Sequence, residues 1–186
     1  EACGNTVRNV TASPSAGIDP NEPFDVAPYA HATFKYFLRN PICQEMGRKF
    51  KIAFSATDAD TAFTYIHDLG FIPKVIFRDG EEVRGFKVLF GGGLGAQPAI
   101  AHPINDFLHG DDLIPYIEST LRVFDRHGER NNRNKARMKF LVAKLGLEEV
   151  LKLIDEEKIA NNAKKFVIDR ETIQLPEIPE QTSYPD

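Results

Sequence analysis

The sequence predicts an α+β fold, a mixed β-sheet with helices packed against it, on three observations. Short runs rich in valine, phenylalanine and threonine crowd the first half, and an Asp79-Gly80 pair separates two of them as a tight hairpin turn does. Apolar residues at helical spacing dominate the second half. Strands followed by helices, rather than alternating with them, point to helices gathered on one face of the sheet. At 186 residues and 42% hydrophobic content, the chain can bury one sizeable core. Residues 1–160 are expected to form that domain and residues 161–186 a linker or tail, because Pro176, Pro179 and Pro185 dot a polar stretch there.

The elements follow in order. Residues 5–12 have the valine and threonine content of a strand, which places Arg8 inside it, and a turn-rich stretch with Pro14, Gly17, Pro20 and Pro23 ends it. A helix is expected from Asp25, with Pro28 in its first turn and Phe34, Phe37 and Leu38 as its apolar stripe. The next strand opens on Arg48-Lys49-Phe50-Lys51 and continues Ile52-Ala53-Phe54. Side chains alternate along a strand, so Lys49 and Lys51 share one side and Phe50 and Ile52 the other. Residues 58–70 read as a short helix capped near Asp60. The hairpin then joins residues 74–78 to 83–90 and ends in Gly91-Gly92-Gly93-Leu94-Gly95. Asp111 and Asp112 are placed to cap a helix carrying Leu113, Ile117, Leu121 and Phe124, which Gly128 closes. Two further helices are expected at residues 132–145 and 147–158.

Composition excludes several functions. A net charge of -4 argues against general nucleic-acid binding and confines any basic site to a local patch. No apolar run reaches the length of a membrane span. The two cysteines, Cys3 and Cys43, have neither zinc-ligand nor disulfide spacing, so a reducing, cytoplasmic setting is expected. Cys43 reads as a packing residue, and Cys3 has no general base in its vicinity. His31, His67, His102, His109 and His127 are scattered without ligand spacing, and none is assigned to a metal. The start at Glu1, directly before a motif, suggests a piece of a longer protein.

Three constellations remain. Two ammonium groups at Lys49 and Lys51 repel, and such a pair either stays in water at a basic strand edge or holds an anion between its members. The run Gly91, Gly93, Ala96 satisfies G-x-G-x-x-A after a strand, but Pro98 and Pro103 follow where a dinucleotide site needs a helix. Its glycines leave room for a flat ligand or another chain segment, or form a flexible loop. On the expected helix, Arg130, Arg133 and Arg137 share one face, either solvated or arranged to clamp carboxylates or phosphates.

Taken together, four segments carry a resemblance. Ala2-Cys3-Gly4-Asn5-Thr6-Val7-Arg8-Asn9-Val10, then Arg48-Lys49-Phe50-Lys51, then Gly85-Phe86-Lys87-Val88-Leu89-Phe90-Gly91-Gly92-Gly93-Leu94, then the basic run from Arg130 to Phe140, resemble the sirohaem-dependent sulfite and nitrite reductases. Order and spacing agree over residues 2–158, and the chain is similar to the first of the family's two sirohaem-domain repeats. The resemblance implies catalytic roles for Arg8, Lys49 and Lys51 over the distal face of sirohaem, holding a small oxyanion and supplying protons as its oxygens leave as water. It implies cofactor contacts from Arg8, Asn9, Lys49, Lys51, Gly91, Gly92, Gly93, Arg133 and Arg137. The implied partners are sulfite or nitrite, an electron donor such as ferredoxin or a flavoprotein, and the remaining half of the same reductase chain.

By the same resemblance, lysine at both positions of the Lys-x-Lys pair and the intact glycine triplet favour sulfite, whereas Ser13-Pro14-Ser15-Ala16-Gly17-Ile18-Asp19-Pro20 is similar to the nitrite type. The family's [4Fe-4S] cluster is held by cysteines of the second repeat, and no such spacing occurs here. The fragment alone is therefore expected to be inactive. Two other expectations stand beside an enzyme: a non-catalytic tetrapyrrole- or anion-binding module, and a basic patch that docks another protein.

Overall fold

The computed structural model describes residues 7–169 and, within them, the backbone but not the side chain of Arg8. Five strands form one sheet in sequence order: β1 (Val7–Ala12), β2 (Phe50–Phe54), β3 (Leu69–Arg78), β4 (Glu81–Phe90) and β5 (His102–His109). The first three run parallel, and β4 and β5 are antiparallel to their neighbours, so the sheet is mixed and the fold α+β. A parallel pair needs a crossover, which between β1 and β2 is α1 (Ala27–Leu38). The β3–β4 hairpin closes through Asp79 and Gly80 at φ 53° and 84°, the left-handed pair that a type I′ turn requires.

The helices of the second half are α2 (Leu113–His127), α3 (Met138–Leu145) and α4 (Leu147–Ala160). With α1 they cover the sheet face from which Phe50, Phe54, Phe71, Phe86 and Phe90 project fully buried. Phe86 sits at the centre of that core. Its ring meets Phe24, Tyr29, Phe54 and Phe71 at centroid distances of 5.0–5.9 Å, all near edge-on.

Several expected elements take another form. In α1 the buried face is Tyr29, Thr33 and Phe37, while Phe34 and Leu38 are exposed. The i, i+4 row of Tyr29 decides the face, because its ring packs on Phe24 and Phe86. Residues 58–70 form no α-helix. Asp60 does accept from Thr64 N and Oγ1, at 2.8 and 2.7 Å, but Asp60 and Phe63 adopt positive φ and leave one 3-10 turn, Thr64–Ile66. Nor do Asp111 and Asp112 cap α2 with their side chains: they belong to a 3-10 turn, Gly110–Asp112, started by His109 Nδ1 accepting from Asp111 N. Gly128 closes α2, its amide bonded to Phe124 O.

The helix expected at residues 132–145 begins only at Met138. Asn132 Oδ1 accepts from Asn134 N and starts a 3-10 turn, Arg133–Lys135, after which Arg137 is extended. Arg130, Arg133 and Arg137 therefore share no helical face. Strand β5 was not foreseen, since Pro103 and Asp106 obscure it and its residues are largely exposed at the sheet edge. Beyond α4, residues 161–167 are exposed and form no helix or strand, although Phe166 N donates to Asp111 O at 2.8 Å and Ile168 is buried. Among the described residues no helix is long and apolar enough to cross a membrane.

Replacing Phe86 with alanine removes four ring contacts from a closed core and is expected to cost about 3–5 kcal/mol. Phe77 lies 73% exposed near the hairpin tip, and its alanine variant is expected to fall within about 0.5 kcal/mol of the parent. Urea unfolding of the two variants measures both.

Candidate functional site

One end of the sheet collects the chemistry. The parallel strands begin where the antiparallel β4 ends, as the register shows: Val7 lies beside Phe50, Ile52 beside Leu69, and Leu69 beside Phe90. Arg8 and Asn9, Lys49 and Lys51, Asp68, and the glycines after Phe90 therefore share one mouth. The β1–β2 ladder slips between Val7 and Asn9, leaving Arg8 as the extra residue of a bulge. Bulges redirect side chains at such rims. Asn9 is exposed and paired with Lys51; Lys49 and Lys51 are half-buried.

At the centre of the mouth lies Asp68, 1% exposed. Its Oδ1 accepts from Arg137 Nε at 3.1 Å, and its Oδ2 accepts both from Arg137 Nη2 at 2.9 Å and from Lys51 N at 3.0 Å. Its backbone oxygen accepts from Gly91 N at 2.9 Å. Burial pushes the Asp68 carboxyl above the ordinary carboxylate range; the bidentate Arg137 guanidinium and the Lys51 amide oppose that push. One buried residue thus ties three separate motifs together, two through its carboxylate and the glycine run through its backbone oxygen.

The glycine run is buried behind this pair. Gly92 admits no side chain, because a Cβ there would stand 2.4 Å from Tyr65 O. At this position the close approach is made by another chain segment. At Gly93 a Cβ would lie 3.3 Å from Arg137 Nη2 and 3.4 Å from Lys139 Cδ. The run leads into a short loop pinned by mutual amide bonds between Gly93 and Ala99, both 2.9 Å. Lys139 threads this loop, its ammonium donating to Gly93 O at 3.4 Å, Leu94 O at 3.1 Å and, more closely, Gln97 O.

Beside the loop opens a cleft of about 450 Å³ lined by Arg48, Leu94, Gln97, Arg133, Lys135, Arg137, Lys139 and Phe140 among others. Its cations outnumber their partners. Among the described residues, Arg137 has Asp68, whereas Arg48, Arg133 and Lys135 form no ion pair. Arg48 Nη1 donates to Arg133 O at 2.8 Å, which holds the two guanidinium-bearing residues together. Burial, and then the charges of Arg133 and Arg137, lower the Arg48 pKa. Burial followed by Arg137 lowers that of Lys139. Like charges crowded at a cleft mouth are relieved by an anion, and planar guanidinium groups suit carboxylates.

Of the residues singled out in the sequence, Arg133 and Arg137 line the cleft, and Lys51 joins it through Asp68. Arg130 does not: it bonds Asp125 and the Glu45 carbonyl, at the end of α2. Cys3 lies outside the described residues. Asp68, Lys139 and the cleft roles of Arg48 and Lys135 escaped sequence reasoning. The available signal for Asp68 was a lone acid immediately before the apolar run Leu69-Gly70-Phe71.

Residues 3–162 match the family model described as the nitrite and sulphite reductase 4Fe-4S domain. The chain is 33% identical over 149 residues to a chloroplastic ferredoxin–nitrite reductase of Zea mays, covering 77% of this chain and 26% of that protein. It is 31% identical over 157 residues to sulfite reductase (ferredoxin) 1 of Mycolicibacterium paratuberculosis, covering 84% and 27%. The solved structure of the Mycobacterium tuberculosis NirA protein superposes with a TM-score of 0.75 at 28% identity, over 91% of this chain and 29% of that one. Dissimilatory sulfite reductase I shares the fold, with a TM-score of 0.66 at 9% identity. The chain thus spans less than a third of the length of the curated relatives it matches.

Lys139→Met removes the ammonium that clasps three loop carbonyls while keeping much of the stem. The amides of Gly93 and Ala99 are expected to exchange with deuterium at least about tenfold faster, equivalent to losing about 1.4 kcal/mol of local protection, while those of β3 stay unchanged.

Proposed function

The chain belongs to the nitrite and sulphite reductase family, and from that premise we propose that it forms the sirohaem- and oxyanion-facing part of a reductase. The observation that carries this is the convergence, at one sheet end, of the Lys49–Lys51 pair with a cleft whose Arg48, Arg133 and Lys135 lack carboxylate partners among the described residues. Sirohaem carries many ring carboxylates, and this donor set fits them. Arg48, Arg133 and Lys135 would hold those carboxylates, together with whichever N–H groups of Arg137 Asp68 leaves over. When bound, the cofactor's contribution is an iron that receives the substrate and electrons that reduce it.

The chain's own residues would do the rest. Lys49 and Lys51, with Arg8 from the bulge of β1, bring positive charge to the oxyanion, which strengthens its hold as charge develops on the departing oxygens. Protons on the two lysine ammonium groups are available to oxygens leaving as water. The sheet mouth keeps these groups on strand ends rather than on long loops, which limits their excursions.

An iron-sulfur cluster does not fit these residues. The sequence holds two cysteines, too few for a four-thiolate cluster. Cys43 is fully buried, and burial, followed by Glu118 and Asp125, pushes its thiol up to about 12, which makes it a packing group. Electrons would reach the site through another part of the reductase, with ferredoxin as donor in keeping with the names of the relatives.

The Lys-x-Lys pair and the glycine triplet support sulfite as substrate, reduced to sulfide. Nitrite, reduced to ammonia, is the second reading, supported by the names of several similar proteins and by residues 13–20. Comparing kcat/KM for the two anions in the reductase that carries this chain decides between them. In that enzyme, Lys49→Ala with Lys51→Ala is expected to lower kcat/KM at least about 100-fold with sirohaem content retained. Unchanged turnover would remove the proposed role of the pair. Residues 1–186 supplied with sirohaem and a chemical reductant are expected to yield no sulfide, and steady sulfide production would contradict the proposed division of labour.

A further inference from the structure

Asp68 touches neither the substrate nor the cofactor carboxylates in the proposal above, yet both sides of the site hang on it. Its Oδ2 is shared between the Lys51 amide at 3.0 Å and Arg137 Nη2 at 2.9 Å. The register of β2 with β3 begins at Ile52 and Leu69, so the Lys51 amide lies at the opening of the ladder and bonds a side chain in place of a backbone carbonyl. Arg137 precedes α3 in an extended conformation, and its guanidinium is what reaches the sheet. Gly91 N, bonded to Asp68 O, anchors the glycine run to the same residue.

We propose that Asp68 is a positioning residue: it locks the strand that carries Lys51 and the guanidinium of Arg137 into one unit, so that the substrate-facing and cofactor-facing cations keep a fixed separation. The proposal rests on the functional reading given above. Its physical basis is the shared oxygen. A shift of Arg137 along the cleft pulls on the main chain of Lys51, and a slip of β2 disturbs the guanidinium. The pair also cancels one of the charges crowded around Arg48 and Arg133, leaving the others to a ligand. Misplacing a positioning group by about 1 Å costs on the order of 100-fold in rate.

The test uses the complete sirohaem-loaded reductase. Asp68→Asn keeps the shape and removes the charge. It is expected to raise KM for the oxyanion about 10- to 100-fold, and to weaken by a similar factor the oxyanion-dependent shift of the sirohaem absorption band, with kcat less affected. A residue serving stability alone would lower the yield of loaded enzyme but leave KM and the anion titration of that loaded fraction unchanged, and this result would overturn the proposal. Should Asp68→Asn fail to fold, Arg137→Lys carries the test, since it keeps the charge and loses the bidentate geometry. A matching rise in KM supports the proposal, and an unchanged KM overturns it. A parent enzyme that binds no sirohaem, or whose spectrum ignores both anions, would overturn the functional reading itself. A responsive parent whose variants keep its KM and its anion titration overturns only the role of Asp68.

Discussion

A carboxylate at 1% exposure, gripped by a guanidinium through two bonds, is the constraint on which this structure turns. Moving a charge out of water costs several kcal/mol, and a buried pair offsets that only with good geometry and its remaining hydrogen bonds satisfied. Asp68 meets both conditions. Each of its side-chain oxygens has a guanidinium donor, and one has a backbone amide as well. Removing either partner leaves an uncompensated charge, a change that typically costs about 3–5 kcal/mol. Such a pair adds little net stability relative to an apolar replacement, so its worth here lies in specifying geometry: it joins the β2 and β3 openings to the start of α3, elements far apart in sequence.

The sheet topology gives that constraint its reach. Because β1, β2 and β3 all begin at the end where β4 finishes, the segments before three strands and after a fourth are neighbours. Charged residues that would otherwise be scattered become one cluster. The aromatic face around Phe86 holds the sheet against α1 and α2, which leaves the mouth free to carry polar groups that would be expensive in the core. The cleft is thus a consequence of strand direction as much as of residue type.

Much of this was legible in the sequence. The β3–β4 hairpin follows from one dipeptide whose conformational demands are local, and α2 and α4 follow from spacing that marks a buried stripe. The four motifs pointed to the right family, to which the match over residues 3–162 assigns the chain. What failed to show depends on partners distant in sequence. β5 has an edge strand's polar composition and is a strand because β4 lies beside it. The run from Arg130 to Arg137 has helical charge spacing, but the Asn132 side chain bonds the backbone and diverts it. In α1 only Phe37 of the expected apolar stripe is buried, while Phe34 and Leu38 face outward, since the contacts of Tyr29 fix the rotation of the helix. Asp68 had no motif of its own, for its partner lies 69 residues away.

The central claim is that Asp68 and Arg137 act as one unit between the sheet mouth and α3. A double-mutant cycle in urea with Asp68→Asn, Arg137→Gln and the combined variant tests it most directly. The account predicts a coupling energy of about 1–3 kcal/mol, the double variant losing much less than the sum of the singles. Additivity within about 0.5 kcal/mol would contradict it.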